Sequence, residues 1–156
     1  MLETEEVIYR TGTLCDVEQI GTLEREGIEN PWSEEMIRKD MEENQNSHYI
    51  VMEVEDSDEK SWIAGFVGFS VVLDEMEINN IVVSSALRRN GGGTALLSQA
   101  IEFAKILGAK NFYLEVREKN VNAIEFYKKN GFGIIGQRKD YYSNPLDNAV
   151  LMKMGE

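Results

Sequence analysis

Ile78-Asn79-Asn80-Ile81-Val82-Val83 is a run rich in β-branched residues, and Ser84-Ser85-Ala86-Leu87-Arg88-Arg89-Asn90 carries it into Gly91-Gly92-Gly93-Thr94. Beyond the glycines, Leu96, Leu97, Ala100, Ile101, Ala104 and Leu107 recur at helical spacing and mark one apolar face. The segment therefore reads as strand, glycine turn, helix. The first turn of a helix leaves backbone N–H groups without partners and puts the positive end of the dipole behind them. Glycines let an anion come close to that backbone without meeting a Cβ, and Arg88 and Arg89 add positive charge. The turn has the chemistry of an anion site; on spacing alone, a tight loop with no ligand remains the alternative. It is not a P-loop, because the Gly-x4-Gly-Lys-Ser/Thr spacing is missing, and consecutive glycines do not make the Gly-x-Gly-x-x-Gly dinucleotide fingerprint.

On the C-terminal side, Gly108 closes the helix, Phe112 to Val116 is a β run, and Ala123, Phe126 and Tyr127 mark a second helix ending at Asn130-Gly131. Two β runs follow, Phe132 to Gln137 and Ala149 to Met154. On the N-terminal side, Val7 to Arg10 is a short β run, and Asp16 opens a helix carrying Val17, Ile20 and Leu23 that ends near Gly27. Ser33 caps a further helix running to about Glu43, with Glu34 and Glu35 in its first turn. Tyr49 to Val54 and Trp62 to Leu73 read as an antiparallel hairpin around a charged loop, and Glu77 to Val83 as the next strand. The order predicts an α/β fold with a mixed sheet of about seven strands flanked by about four helices, antiparallel at first, with a helical crossover pairing strands in parallel. One domain over residues 1–156 is expected.

The chain has 28 Asp and Glu against 16 Lys and Arg, a net charge of −12, and 42% of its residues are hydrophobic. That is the composition of a globular chain rather than a disordered acidic tail. The charge disfavours a nucleic-acid partner, whose phosphates are bound through Lys and Arg, and favours a basic one. The acid excess lies within residues 1–60, and the remainder is close to neutral. Solvated helix faces are the ordinary reading of such charge. The longest nearly apolar stretch, Trp62 to Leu73, is too short for a membrane span. Acids near Met1 oppose a signal peptide, so a cytoplasmic location is expected. Cys15, the single cysteine, agrees with a reducing compartment, and neither it nor His48 assembles a metal site or a nucleophilic triad by spacing. No metal is expected.

Arg88-x-x-Gly91-x-Gly93 between a strand and a helix resembles the pyrophosphate loop of the GCN5-related N-acetyltransferases, the GNAT family. Leu114-Glu115-Val116-Arg117, then Asn120-x-x-Ala123-x-x-x-Tyr127-x-x-x-Gly131-Phe132, then Gly136-x-Arg138-x-x-Tyr141-Tyr142 with Met152, resemble its ribosomal-protein-alanine acetyltransferase (RimI) branch, as does Pro31-Trp32-Ser33. The likeness spans nearly the whole chain. Departures are Ser84 to Leu87, where a proline and an aromatic are usual, Asn90, where glutamine or glycine is common, and Asn148, where an acid usually precedes the alanine.

The resemblance implies an acetyl-CoA-dependent enzyme that acetylates the N-terminal alanine of a ribosomal protein such as S18, as a monomer or weak homodimer. It makes Glu115 the base and Tyr127 the acid that protonates the departing thiolate. It assigns Arg88, Arg89, Asn90, Gly91, Gly92, Gly93 and Thr94 to the cofactor's phosphates, and backbone N–H groups around Ile81, Val82 and Val83 to the thioester. Asn120 faces the cofactor as well as capping its helix, and Trp32, Tyr141 and Tyr142 line the peptide site. Spacing alone leaves plainer roles open: Glu115 as an outward strand residue, Tyr127 and Trp32 as packing, Asn120 as a cap. Consecutive tyrosines in a regular strand point to opposite faces, so at most one of Tyr141 and Tyr142 should turn inward. The same fold also serves enzymes that acetylate small amines and modules that bind acyl-CoA without turnover.

Overall fold

Strand alternation here has to serve two helical layers, and the buried residues sort accordingly. The computed structural model describes residues 6–56, 58, 60–85 and 91–155. The strands are β1 (Glu6–Thr11), β2 (Ser47–Glu55), β3 (Ser61–Val72), β4 (Glu75–Val83), β5 (Asn111–Arg117), β6 (Phe132–Ser143) and β7 (Leu146–Met154). The helices are α1 (Val17–Gly27), α2 (Glu34–Glu43), α3 (Gly92–Ile106) and α4 (Val121–Lys129). All seven strands form one sheet in the order β1-β2-β3-β4-β5-β7-β6, antiparallel throughout except for β4 with β5. The mixed α/β sheet expected from the element order is the observed fold.

On one face, Tyr49, Val51, Ile63, Phe66 and Val82 pack against Val17, Ile20 and Leu23 of α1 and Ile37 of α2. On the other, Ile50, Met52, Val67, Phe69 and Ile78 pack against Leu96, Leu97, Ala100, Ile101 and Ala104 of α3. Each such side chain contributes about 1.5–3 kcal/mol by leaving water. Ser33 caps α2 as its sequence suggests, its hydroxyl accepting from the Met36 amide at 3.2 Å. Gly27 lets α1 end against the sheet, since a Cβ there would lie 2.7 Å from Cγ1 of Val82. α3 stops at Ile106, so Leu107 is half-exposed rather than part of the buried face.

Irregularities in the ladders position the site. In β4, Gly68 pairs with Asn80 and Phe69 with Ile78, leaving Asn79 as a bulge. Parallel pairing of β4 with β5 then covers only Glu75–Ile78 against Asn111–Leu114, and beyond it the strands part. β6 runs past Gln137, because a second irregularity between Arg138 and Tyr142, with Asp140 at φ 53, lets it resume pairing with β7.

The N-terminal corner is held by charge. Arg10 donates from Nη1 and Nη2 to the two Asp16 carboxylate oxygens at 2.8 and 2.9 Å, and from Nε to Glu53 at 2.8 Å. The Thr13 amide adds a bond to Asp16 at 2.8 Å. Bonding by Arg10 holds the buried Asp16 carboxyl below the usual range. That stabilisation is present above the ordinary carboxyl value near ~3.9 and is lost as pH falls below it. Asp16→Ala is expected to cost about 2–3 kcal/mol, read from urea unfolding at pH 7, and to flatten the acid limb of the stability profile.

Candidate active site

Where β4 and β5 part, a groove of about 1050 Å³ opens. Asn79 to Ile81 form one side and Glu115 to Arg117 the other, with Asn120 and Tyr127 reaching it from α4. Along β5, Leu114 and Val116 belong to the core under α3 and α4, so alternation turns Glu115 and Arg117 to the opposite face. Tyr127 comes from the α3 and α4 layer. The gap in the sheet lets groups from both layers meet.

Tyr127 is 8% exposed and packs edge-on against Phe126 and Phe132, with centroids at 5.2 and 5.8 Å. Burial pushes its phenol well above the ordinary value, so it keeps its proton throughout the neutral range. Asn120 caps α4, its Oδ1 accepting from the Ala123 amide at 3.1 Å. Glu115 is a partly buried carboxylate in an ion pair with Arg138, whose Nε lies 2.8 Å from Oε2, and its charge holds the Tyr141 phenol above the ordinary value. Arg138 reaches it from β6 across the intervening β7.

Of the residues singled out in the sequence, Trp32, Ile81, Glu115, Asn120, Tyr127, Tyr141 and Tyr142 all line this groove. Tyr141 and Tyr142 both reach the groove, their rings 5.0 Å apart and perpendicular, at the irregularity between Arg138 and Tyr142 that interrupts regular strand alternation. The side chains of Val82 and Val83 pack into the two cores on opposite faces of the sheet, so any part of theirs in the site belongs to the backbone, as the family likeness has it. Gly91 to Thr94 begin α3 outside the lining, with Gly91 as N-cap at φ 79 and Gly93 against the Phe126 ring. Arg88, Arg89 and Asn90 lie outside the described residues. Among the described residues no side chain caps α3 and no acid occupies its first turn, so its leading N–H groups suit an anion.

Two contributors escaped sequence reading. Glu24, 2% exposed, accepts from the Trp32 amide through Oε2 and from the Asn80 side chain through Oε1, both at 2.9 Å. It thus fastens the α1–α2 connection to the bulged stretch of β4. The signal was available, because Glu24 occupies the i+7 position of the stripe begun at Val17, where an apolar residue is expected. Arg117 is the other. Its guanidinium lies 4.3 Å from the Tyr142 ring centroid and donates to the carbonyls of Pro145 and Asn144 at 2.8 and 3.3 Å. The Asn30 side chain donates to the same Asn144 carbonyl, tying the α1–α2 connection to the β6–β7 hairpin. Among the described residues, no group of three His, Cys, Asp or Glu side chains is placed to hold a metal, and no helix is long and apolar enough to cross a membrane.

A family model described as the acetyltransferase (GNAT) family matches residues 17–132, an interval that holds both sides of the groove and α4. The chain belongs to the GNAT acetyltransferase family. This GNAT chain is 33% identical over 141 residues to a ribosomal protein bS18-alanine N-acetyltransferase of Haemophilus influenzae, covering 88% of this chain and 91% of the relative. The crystal structure of the ribosomal-protein-S18-alanine N-acetyltransferase from Escherichia coli superposes with a TM-score of 0.80 at 26% identity, over 96% of this chain and 93% of that one. Ard1 from Thermoplasma volcanium gives a TM-score of 0.80 at 25% identity, over 96% and 99% of the respective chains.

Burial raises the Glu24 carboxyl above its ordinary value. Stability from this group is greatest below ~4.3 and declines as pH rises through the raised value. Glu24→Gln, a neutral isostere of the protonated acid, should therefore match wild type most closely in acid, with the wild type losing stability relative to it as pH rises toward neutrality. Glu24→Ala, which leaves two donors unsatisfied, should cost about 2–4 kcal/mol by denaturant unfolding.

Proposed function

We propose that this GNAT enzyme, acting as one domain over residues 1–156, uses acetyl-CoA to acetylate the N-terminal alanine of ribosomal protein S18. The observation that carries the reading is the meeting of a carboxylate, Glu115, and a buried, protonated phenol, Tyr127, in one groove at the parting of β4 and β5. The family's chemistry and the names of the Haemophilus and Escherichia relatives supply donor and acceptor. The uncapped, acid-free start of α3 is suited to the diphosphate of the donor. The enzyme works in the cytoplasm as a monomer or weak homodimer.

The transfer is direct. Glu115, itself or through water, takes a proton from the α-ammonium, whose ordinary value of ~7.7–8.0 makes this a modest demand near neutral pH. The freed lone pair attacks the thioester carbonyl, forming the C–N bond, while backbone N–H groups near Ile81 to Val83, where β4 has left β5, steady the oxyanion. The C–S bond breaks as Tyr127 donates its proton to the sulfur. A hydroxyl with a raised pKa still gives that proton readily to a thiolate that forms beside it out of contact with water. Trp32, Tyr141 and Tyr142 hold the peptide, and Asn120 flanks the donor. Cys15, exposed before α1, is absent from the groove lining, which agrees with transfer without an acyl-enzyme.

Thiol release from acetyl-CoA, measured with peptides differing in their first residues and with polyamines alongside, tests the assignment. Peptides beginning with alanine should be the best acceptors. Faster turnover of polyamines would make this a small-amine enzyme, and tight acetyl-CoA binding without turnover would make it a sensor. Tyr127→Phe should lower kcat by about 10²-fold with the KM for acetyl-CoA little changed; an unchanged kcat removes Tyr127 as the acid. Glu115→Gln should lose most of its rate at lower pH, where the amine needs a base, and a profile parallel to wild type removes that role.

A further inference from the structure

A resident cation is already paired with the groove carboxylate, Glu115, that an acceptor's ammonium has to reach. Arg138 Nε lies 2.8 Å from Oε2 of Glu115. On its other side the guanidinium sits 5.8 Å from the Tyr141 ring centroid, and 57% of its side chain is exposed, leaving it room to swing. Glu77, from β4, lines the same groove and makes no ion pair among the described residues. The Glu77 carboxyl is pushed up by burial and by the charge of Glu115, and drawn back by Arg138, so the three groups share one field. Two carboxylates share one resident guanidinium, leaving a net negative charge that an ammonium would neutralise. While Arg138 holds Glu115, that carboxylate is partly engaged.

We propose that Arg138 is a stand-in for the acceptor's α-ammonium, displaced from Glu115 when the peptide enters and received by Glu77. The exchange conserves ion pairs: the ammonium takes the place of the guanidinium on Glu115, and the guanidinium moves to the carboxylate that had none. Its consequence is selectivity. An acceptor must bring a positive charge on its terminal amine to displace the resident one, whereas a neutral ligand of the same shape meets a closed pair. Glu77 and Arg138 are thereby specificity-determining residues that act through Glu115.

The proposal rests on Glu115 receiving the acceptor amine, and the test separates the two. Steady-state acetylation of an alanine-initiated peptide at saturating acetyl-CoA is compared for wild type, Arg138→Gln, Arg138→Lys, Glu77→Gln and the double variant Arg138→Gln/Glu77→Gln. Arg138→Gln should lower the peptide KM by about two- to fivefold, the worth of a half-exposed ion pair, with the gain in KM rather than in kcat. Arg138→Lys should restore the wild-type KM. Glu77→Gln should raise KM by a similar factor in wild type and lose that effect in the Arg138→Gln background, because the two positions are coupled. A KM that rises or stays constant in Arg138→Gln, a kcat that falls instead, or additive effects in the double variant would overturn the exchange while leaving the acetyltransferase reading intact. Wild-type enzyme inactive on every peptide overturns the functional reading, and the exchange with it.

Discussion

Hydrogen bonding between β4 and β5 ends after Ile78 and Leu114, and the chemistry of the molecule is organised around that ending. A continued parallel ladder would bring the edge of residues 79–81 against β5 and close the space between the strands. The bulge at Asn79 turns β4 aside, and bulges bend a strand at little cost when its neighbours hold it. Here β3 continues to pair with β4 as far as Val83. Both faces are also loaded with apolar contacts, Val82 against α1 and α2, and Ile78 against α3. An open seam in a sheet is tolerable only with such support, because unpaired backbone polar groups must find water or a ligand.

The carboxylates of this acidic chain divide by what each one meets. Asp16 and Glu24 are buried and bonded: the first is stabilised as an anion by a guanidinium fork, the second is held by neutral N–H groups and drawn toward its protonated form. Burial raises both, and only for Asp16 does a charged partner outweigh it. Glu77 and Glu115 lie in the groove, and Arg138, largely exposed, pairs with Glu115. At the other end, α3 begins with no acid in its first turn. The separation of acid from the start of α3 matches a donor with phosphates and an acceptor with an ammonium, each drawn to its own end.

Much of this was legible in the residues. The Ser33 cap, the close of α1 at Gly27 and the apolar face of α3 as far as Ala104 rest on interactions within a few positions of one another, and each is found as read, Leu107 alone falling past the end of the helix. The strand ends were less legible, because β6 is prolonged by pairing with β7 beyond an irregularity that no local preference announces. That same irregularity turns Tyr141 and Tyr142 into one groove against the expected alternation. Glu24 left a trace as a charge on an apolar stripe, but its partners, Trp32 and Asn80, could not be inferred from helical spacing.

The sequence by itself determined the order of elements, the mixed sheet, the anion-suited turn and the motifs that mark a GNAT enzyme. Those depend on helix and strand periodicity and on glycine chemistry, which act over short stretches. Only the tertiary structure decided that Glu115 is engaged by Arg138, that Glu77 shares its field, and that Glu24 fastens the bulged stretch of β4. Such contacts join residues far apart in the chain, and their existence depends on strand order, register and bulges, which are set by the packing of the whole sheet between its two helical layers.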